Sequence, residues 1–371
     1  MRSNRHHVTQ PEPRIALGST RRRLLGAPLA AAAAGVFAPA AFAVPSTNPR
    51  AQDVRLAPLY YPLKNVRPEV PLDGMLAVVT GASRGIGRAI AEALAALGVT
   101  VIGTSRQPAS VPDPPAFPLL GLDVADPLSV LGFAAALHAH PAFLARGRLD
   151  ILVNNAGRFV VGQIVPQPGT DPAWFRAQRD LAARTLYAGH VDVTTTLLPL
   201  LTSTGHARIV FTVSISAYYS GAAIDGASLI ESYSGAKAAL RVYAANLDAL
   251  LRAAGSNIRV CTVNPYAVHT QGPVHPNPIY TQPVNDQGLS DTDPVFNQTM
   301  TFLRQVAANG LPPQLVGDAC AQLLRMADPP LHVVVASPRE PLATQGLNAV
   351  IEPAILADNA ASAVPLVCGR G

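Results

Sequence analysis

The chain has 371 residues, 49% hydrophobic and 14% charged, enough for one large domain with terminal extensions. Its formal net charge of +5 is carried entirely by the six arginines and one glutamate of residues 1–43. The remainder is neutral and has no basic patch of the kind that binds nucleic acid or anionic lipid. Cys261, Cys320 and Cys368, without short spacing, and nine histidines, without a ligand-like repeat, exclude a disulfide framework and give no metal site.

The first element in chain order is a leader. Thr20-Arg-Arg-Arg-Leu-Leu25 sets a twin arginine before an Ala-rich apolar stretch that closes on the small-x-small pattern Ala41-Phe-Ala43. Residues 1–43 are expected to be a Tat-type export signal. The mature protein would then be periplasmic or extracellular and free of the membrane. The alternative is an uncleaved membrane anchor, for which Leu24–Ala43 is barely long enough and is interrupted by Pro28 and Pro39. Residues 44–74 hold six prolines and read as an extended lead-in that drapes on the surface.

From Met75 onward, short apolar runs alternate with helical patterns. The runs are Leu76–Thr80, Thr100–Ser105, Leu119–Leu122, Asp150–Asn154, Arg208–Ser214, Ile258–Asn264 and Leu331–Ala336, rich in Val and Ile as strands covered on both faces are. Helices are predicted near Gly85–Leu97, Asp126–Leu144, Asp171–Leu201, Tyr233–Ala254 and Pro313–Ala327. Asp126-Pro127 supplies a cap and a first-turn proline. Strands joined by helical crossovers predict an α/β fold: one doubly wound, mostly parallel, seven-stranded sheet in a single domain over residues 75–340, with a tail at 341–371.

Two stretches carry chemistry. In Leu76-Ala-Val-Val-Thr-Gly-Ala-Ser-Arg-Gly-Ile-Gly87 a strand runs into a glycine turn and then a helix, the geometry that offers a helix N-terminus to a phosphate. Gly81 permits the tight turn, Gly85 lets backbone approach a pyrophosphate, and Gly87 lets helix and strand pack closely. In Tyr233-Ser-Gly-Ala-Lys237 the four-residue spacing puts a phenol and an ammonium on one helix face. A nearby cation favours the phenolate and fits Tyr233 for acid–base work. The chain has 26 arginines and only two lysines, Lys64 and Lys237, so a retained lysine points to a task that guanidinium cannot perform.

With Leu122-Asp-Val124, Asn154-Asn-Ala-Gly157, Ser214 and the run from Asn264-Pro265 to Thr270, these stretches resemble the short-chain dehydrogenase/reductase family, compact non-extended type, in family order. The resemblance implies a Rossmann fold and a dinucleotide held by Gly81, Ser83, Arg84, Gly85, Ile86 and Gly87. Asp123 would take the adenine amino group, unless it only shapes the turn into the next helix. Asn155, Ala156 and Gly157 would lie under the adenine ribose. Pro265, Val268 and Thr270 would flank the nicotinamide, with Thr270 on the carboxamide or a phosphate. Tyr233 and Lys237 would reach the nicotinamide ribose.

Ser214 would steady the substrate carbonyl, with Ser216 and Ser220 as alternatives, and a longer loop within Tyr218–Ser232 would cover the pocket. Two positions depart from the family. Leu186, in Leu186-Tyr-Ala-Gly189, stands where a proton-relay asparagine is usual, leaving Thr185 or water for that task, and Tyr266 stands where glycine usually follows Pro265.

The strand Thr100–Ser105 runs into Arg106 without an acid, and Arg106 and Arg84 suit a 2′-phosphate, so NADP(H) is expected over NAD(H). The expected reaction is hydride transfer between nicotinamide and a small-molecule carbonyl or alcohol. Ser214, Tyr233 and Lys237 would be catalytic, and the segments Ala217–Ser232 and Gln271–Phe296 would set the substrate. The alternatives are an NADP(H)-binding regulator that has lost turnover, and an epimerase or dehydratase on the same cofactor. The resemblance also implies a homodimer or homotetramer through the helices near Asp171–Leu201 and Tyr233–Ala254.

Overall fold

A computed structural model describes residues 59–61, 63, 69–157, 172–201, 205–218, 231–266, 268–270 and 310–336. The predicted leader, the tail, Ser220 and the segment Gln271–Phe296 lie outside the described residues, as does most of Ala217–Ser232.

The strands are β1 (Leu59–Tyr61), β2 (Leu76–Val79), β3 (Thr100–Ser105), β4 (Leu119–Gly121), β5 (Ile151–Asn154), β6 (Arg208–Thr212), β7 (Arg259–Pro265) and β8 (His332–Ala336). They form one sheet in the order β1-β8-β7-β6-β5-β2-β3-β4. β2 to β8 are parallel throughout, as the sequence predicts, and β2, β5, β6 and β8 are buried at every position. Such strands need apolar side chains on both faces, hence their continuous Val, Ile and Leu runs.

β1 was not foreseen. It lies inside the segment read as a surface lead-in and pairs antiparallel with β8, Leu59 opposite Ala336 and Tyr61 opposite Val334. It covers the backbone edge that β8 would otherwise present to solvent. Leu63, Val70 and Leu72 in the same lead-in are buried in the core.

The helices are α1 (Gly85–Ala95), α2 (Pro127–Ala139), α3 (Pro141–Arg146), α4 (Pro172–Ala183), α5 (Gly189–Leu197), α6 (Glu231–Ala253) and α7 (Pro313–Leu324). α1 and α7 pack on one face of the sheet over Val79, Val153 and Val263. α2, α5 and α6 cover the other face over Val78, Leu152 and Phe211. Asp126 caps α2 as expected, its carboxylate accepting from the Leu128 amide at 3.0 Å.

The single helix predicted over Asp126–Leu144 is in fact two. Pro141 supplies no amide hydrogen, the chain turns extended at His140, and His140 Nδ1 caps α3 by accepting from the Ala142 amide. The predicted Asp171–Leu201 helix is likewise divided by one wide turn, Arg184–Ala188, in π geometry between α4 and α5. The remaining boundaries fall within a few residues of those predicted.

Candidate active site

The strand order reverses at β2, which has β3 on one side and β5 on the other. In a doubly wound sheet the crevice beyond the carboxyl ends of these strands is where ligands bind. Both sequence-predicted stretches lead to it.

One hydroxyl ties the two loops at the crevice together. Thr80 Oγ1 accepts from the amides of Asn155 at 2.9 Å and Ala156 at 3.0 Å and donates to the Val153 carbonyl at 3.2 Å. The Asn155 side chain returns the tie, its Nδ2 donating to the carbonyls of Thr80 and Gly81 at 3.1 and 3.3 Å. On the other side the Thr104 hydroxyl accepts from the Gly81 amide at 3.2 Å.

Gly81 sits at φ 66°, and a Cβ there would lie 2.8 Å from the Ala156 Cα, so glycine is required by both backbone and space. A Cβ on Gly87 would strike the Gly81 carbonyl and the Asn155 amide, which is the close packing expected of it. Thr270 packs over Gly85. Ser83 and Ile86 are half-buried, whereas Arg84 is exposed, as is Arg106 beyond β3.

The turn fits a phosphate group. α1 is entered at Arg84 and, like α7, has no side-chain cap and no acidic residue in its first turn. Its leading amides and the positive end of its dipole are left for an anionic ligand. Asp123 is half-buried, and its Oδ1 accepts from the Ala125 amide at 3.0 Å, so this carboxylate also shapes the turn toward α2. Pro265 closes β7, and Val268 forms an isolated bridge to Leu311.

The second stretch sits in the first turns of α6. Lys237 is 4% exposed, its Nζ donating to the Thr212 carbonyl at 2.6 Å and lying 6.0 Å from the centre of the Tyr233 ring. Burial pushes the Lys237 ammonium down to about 7. Tyr233 packs beside Ala236, Ala182 and the buried Leu186. Leu186 lies in the π turn, and its Cδ2 faces the Gly157 Cα.

Ser214 follows the end of β6. Its hydroxyl accepts from the Ser216 amide at 3.2 Å and the Ser216 hydroxyl at 3.0 Å, so Ser216 acts as the brace of Ser214. α6 packs against the turn Ile215–Tyr218 that carries Ser216.

Sequence reasoning missed three contributors. Thr104 and Thr194 look like ordinary strand and helix threonines, and nothing in their spacing marks them. His190 is fully buried one turn after Leu186. Its position four residues on, on the same helix face, is the one signal in the sequence that points to it.

Residues 75–275 match the sequence profile of the short chain dehydrogenase family. The chain belongs to that family. Among related short chain dehydrogenases, "Short chain dehydrogenase mpl6" of Monascus purpureus is 38% identical over 160 residues, covering 39% of this chain and 51% of its own length. "3-oxoacyl-[acyl-carrier-protein] reductase FabG" of Escherichia coli is 44% identical over 95 residues, 23% of this chain and 35% of the relative. The chain thus spans about half, or less, of the length of these curated relatives. A crystal structure of a short-chain dehydrogenase from Streptomyces avermitilis superposes with a TM-score of 0.56 at 28% identity, covering 76% of this chain and 95% of the other.

Proposed function

We propose that the protein is an NADP(H)-dependent oxidoreductase that interconverts a small-molecule carbonyl and the corresponding alcohol through Ser214, Tyr233 and Lys237. The observation that carries this reading is the buried Lys237 ammonium beside the Tyr233 ring, at the same strand ends as the uncapped start of α1. When bound, the dinucleotide supplies or accepts the hydride. Around it Ser214, braced by Ser216, hydrogen-bonds the carbonyl oxygen. Tyr233 donates the proton to that oxygen in reduction and takes it back in oxidation. Lys237 biases Tyr233 toward the phenolate and holds the ribose hydroxyls.

Gly81, Ser83, Arg84, Gly85, Ile86 and Gly87 would hold the phosphates, with Thr270 on the carboxamide or a phosphate. Asp123, Asn155, Ala156 and Gly157 take the adenosine, and Pro265 and Val268 flank the nicotinamide. The exposed Arg84 and Arg106, with no acid at the end of β3, favour a 2′-phosphate over a free hydroxyl.

The twin-arginine leader supports export of the folded protein. That location disfavours the carrier-protein substrate named for the Escherichia coli relative. Residues 75–340 act as the catalytic domain, in a homodimer or homotetramer. A second reading, an NADP(H)-binding regulator with weak turnover, is favoured by one observation: Leu186, buried and apolar, occupies the place of a hydrogen-bonding relay residue.

One set of measurements tests both readings: titration of the mature chain with NADPH and NADH, and turnover on a panel of carbonyl compounds, for the wild type and Tyr233→Phe. Binding of NADPH at least tenfold tighter than NADH is expected. Turnover should fall at least a hundredfold in Tyr233→Phe, with NADPH affinity falling far less. Tight NADPH binding with no turnover on any compound selects the regulator, and preferential NADH binding removes the assignment of Arg84 and Arg106.

A further inference from the structure

The floor beneath Lys237 holds a histidine that the proposed reaction does not use. His190 is the second residue of α5, fully buried, and neither ring nitrogen has a hydrogen-bond partner among the described residues. One turn further along the same face, the Thr194 hydroxyl accepts from Asn154 Nδ2 at 2.9 Å, and Asn154 Oδ1 is a buried acceptor without a partner. Asn154 ends β5 next to the end of β6, where Lys237 gives one proton to the Thr212 carbonyl. An ammonium has three donors, and this bond uses one of them. Orphaned buried acceptors and an under-used buried donor thus converge at the ends of β5, α5 and α6. Burying such groups unpaired is costly, and proteins commonly satisfy them through a buried water.

Among the described residues, Lys237 is the charged side chain that acts on the His190 ring. Burial, then Lys237, then the Ala156 backbone act on its ring. Ala156 lies near enough to pull toward the charged form but not in bonding geometry. The other titratable side chains on the elements around it, among the described residues, include Asp192 on the same helix, Arg184 and Tyr187 in the π turn, Tyr233 on α6 and the exposed His138 on α2. The imidazole is therefore held neutral, with the Lys237 cation acting on it.

We propose that His190 is a positioning residue for Lys237: its neutral ring, bridged by water to the Lys237 ammonium, accepts the hydrogen bond that favours the charged amine. The proposal rests on the reading of Lys237 as the active-site amine only for its consequence for catalysis. The hydrogen bond itself is a property of the fold.

With only two lysines in the chain, 13Cε-lysine labelling gives two resonances, and Lys64→Arg assigns them. The Lys237 titration midpoint should fall by about one pH unit in His190→Leu, which removes the acceptor, and stay close to wild type in His190→Gln, which keeps one. An unmoved midpoint in folded His190→Leu overturns the proposal.

The wild type supplies a measurement that does not depend on the folding of His190→Leu. The ring 15N shifts of His190, assigned by their loss in His190→Gln, should follow the Lys237 midpoint, and flat shifts across it overturn the proposal equally. Neither measurement needs substrate or cofactor. A protein inert toward every carbonyl removes the proposed function and leaves this inference standing, whereas an active protein with an unmoved midpoint does the reverse.

Discussion

Thr80 shows how much of the site rests on one small side chain. Its hydroxyl serves the Asn155 and Ala156 amides and the Val153 carbonyl, joining the glycine turn to the Asn155–Gly157 loop across the crevice. Thr80→Val keeps the shape and removes all three bonds, leaving two amides unpaired in a crowded loop. The expected cost is about 2 kcal/mol or more. Thr80→Ser retains the hydroxyl and should lose less than half of that. Urea unfolding of the two variants makes the comparison, and equal losses would show that the methyl, not the hydroxyl, is what the site needs. Tyr233 and Lys237 were legible in the sequence because a four-residue spacing on a helix is geometry in itself. Thr80 was legible only as part of the glycine stretch, and its partners were not, because they lie more than 70 residues away along the chain.

At the level of whole elements, the parallel strands were legible because burial on both faces leaves an unbroken apolar signature. β1 was not, since three residues that pair with a strand at the far end of the chain leave no local pattern. The break between α2 and α3 was announced by Pro141 but masked by the Ala- and Leu-rich composition on either side. The π turn at Arg184–Ala188 adds one residue to a helix turn, which periodicity over a short window does not resolve, and such turns gather at functional sites. The cap that was predicted can be weighed. Asp126 accepts from the Leu128 amide at the exposed start of α2, so Asp126→Ala should cost about 1 kcal/mol and Asp126→Asn almost nothing. A shift in the urea midpoint without a change in slope reads that cost directly. Equal stability of wild type and Asp126→Ala would mean that α2 starts elsewhere in solution.

At the scale of the whole molecule, the two ends of the sheet are built differently, and the difference is open to measurement through pH. At the amino ends of the strands Asp150 is paired with Arg146 and Arg148, while the buried Arg208 guanidinium donates to backbone carbonyls. Burial of Asp150 is outweighed by its bonds to Arg146, the Leu76 amide and Arg148, which hold its carboxyl below the usual value. At the carboxyl ends Lys237 and His190 are buried, pushed down to about 7 and about 3. A base with a depressed native pKa binds fewer protons folded than unfolded, so stability rises with pH between the two values. For Lys237 that window runs from about 7 up to the ordinary 10.5, and for His190 from about 3 up to 6.5. Burial also raises the Cys320 thiol to about 12 and the Cys261 thiol further, which lowers stability as pH climbs past their ordinary 9.0. The lysine therefore acts unopposed by the thiols between pH 7 and 9. Each pH unit of that window is worth about 1.4 kcal/mol for one group, which is a rise of roughly 3 °C or more in Tm for a domain of this size. Thermal unfolding of the cofactor-free chain should accordingly show Tm climbing from pH 7 to 9. Lys237→Met should abolish the climb and melt higher than wild type at pH 7, because burying an amine costs stability that an apolar side chain of similar length does not. Parallel curves for wild type and Lys237→Met across that window would mean that the Lys237 amine bears no desolvation cost, and that its pKa in solution is that of an ordinary surface lysine.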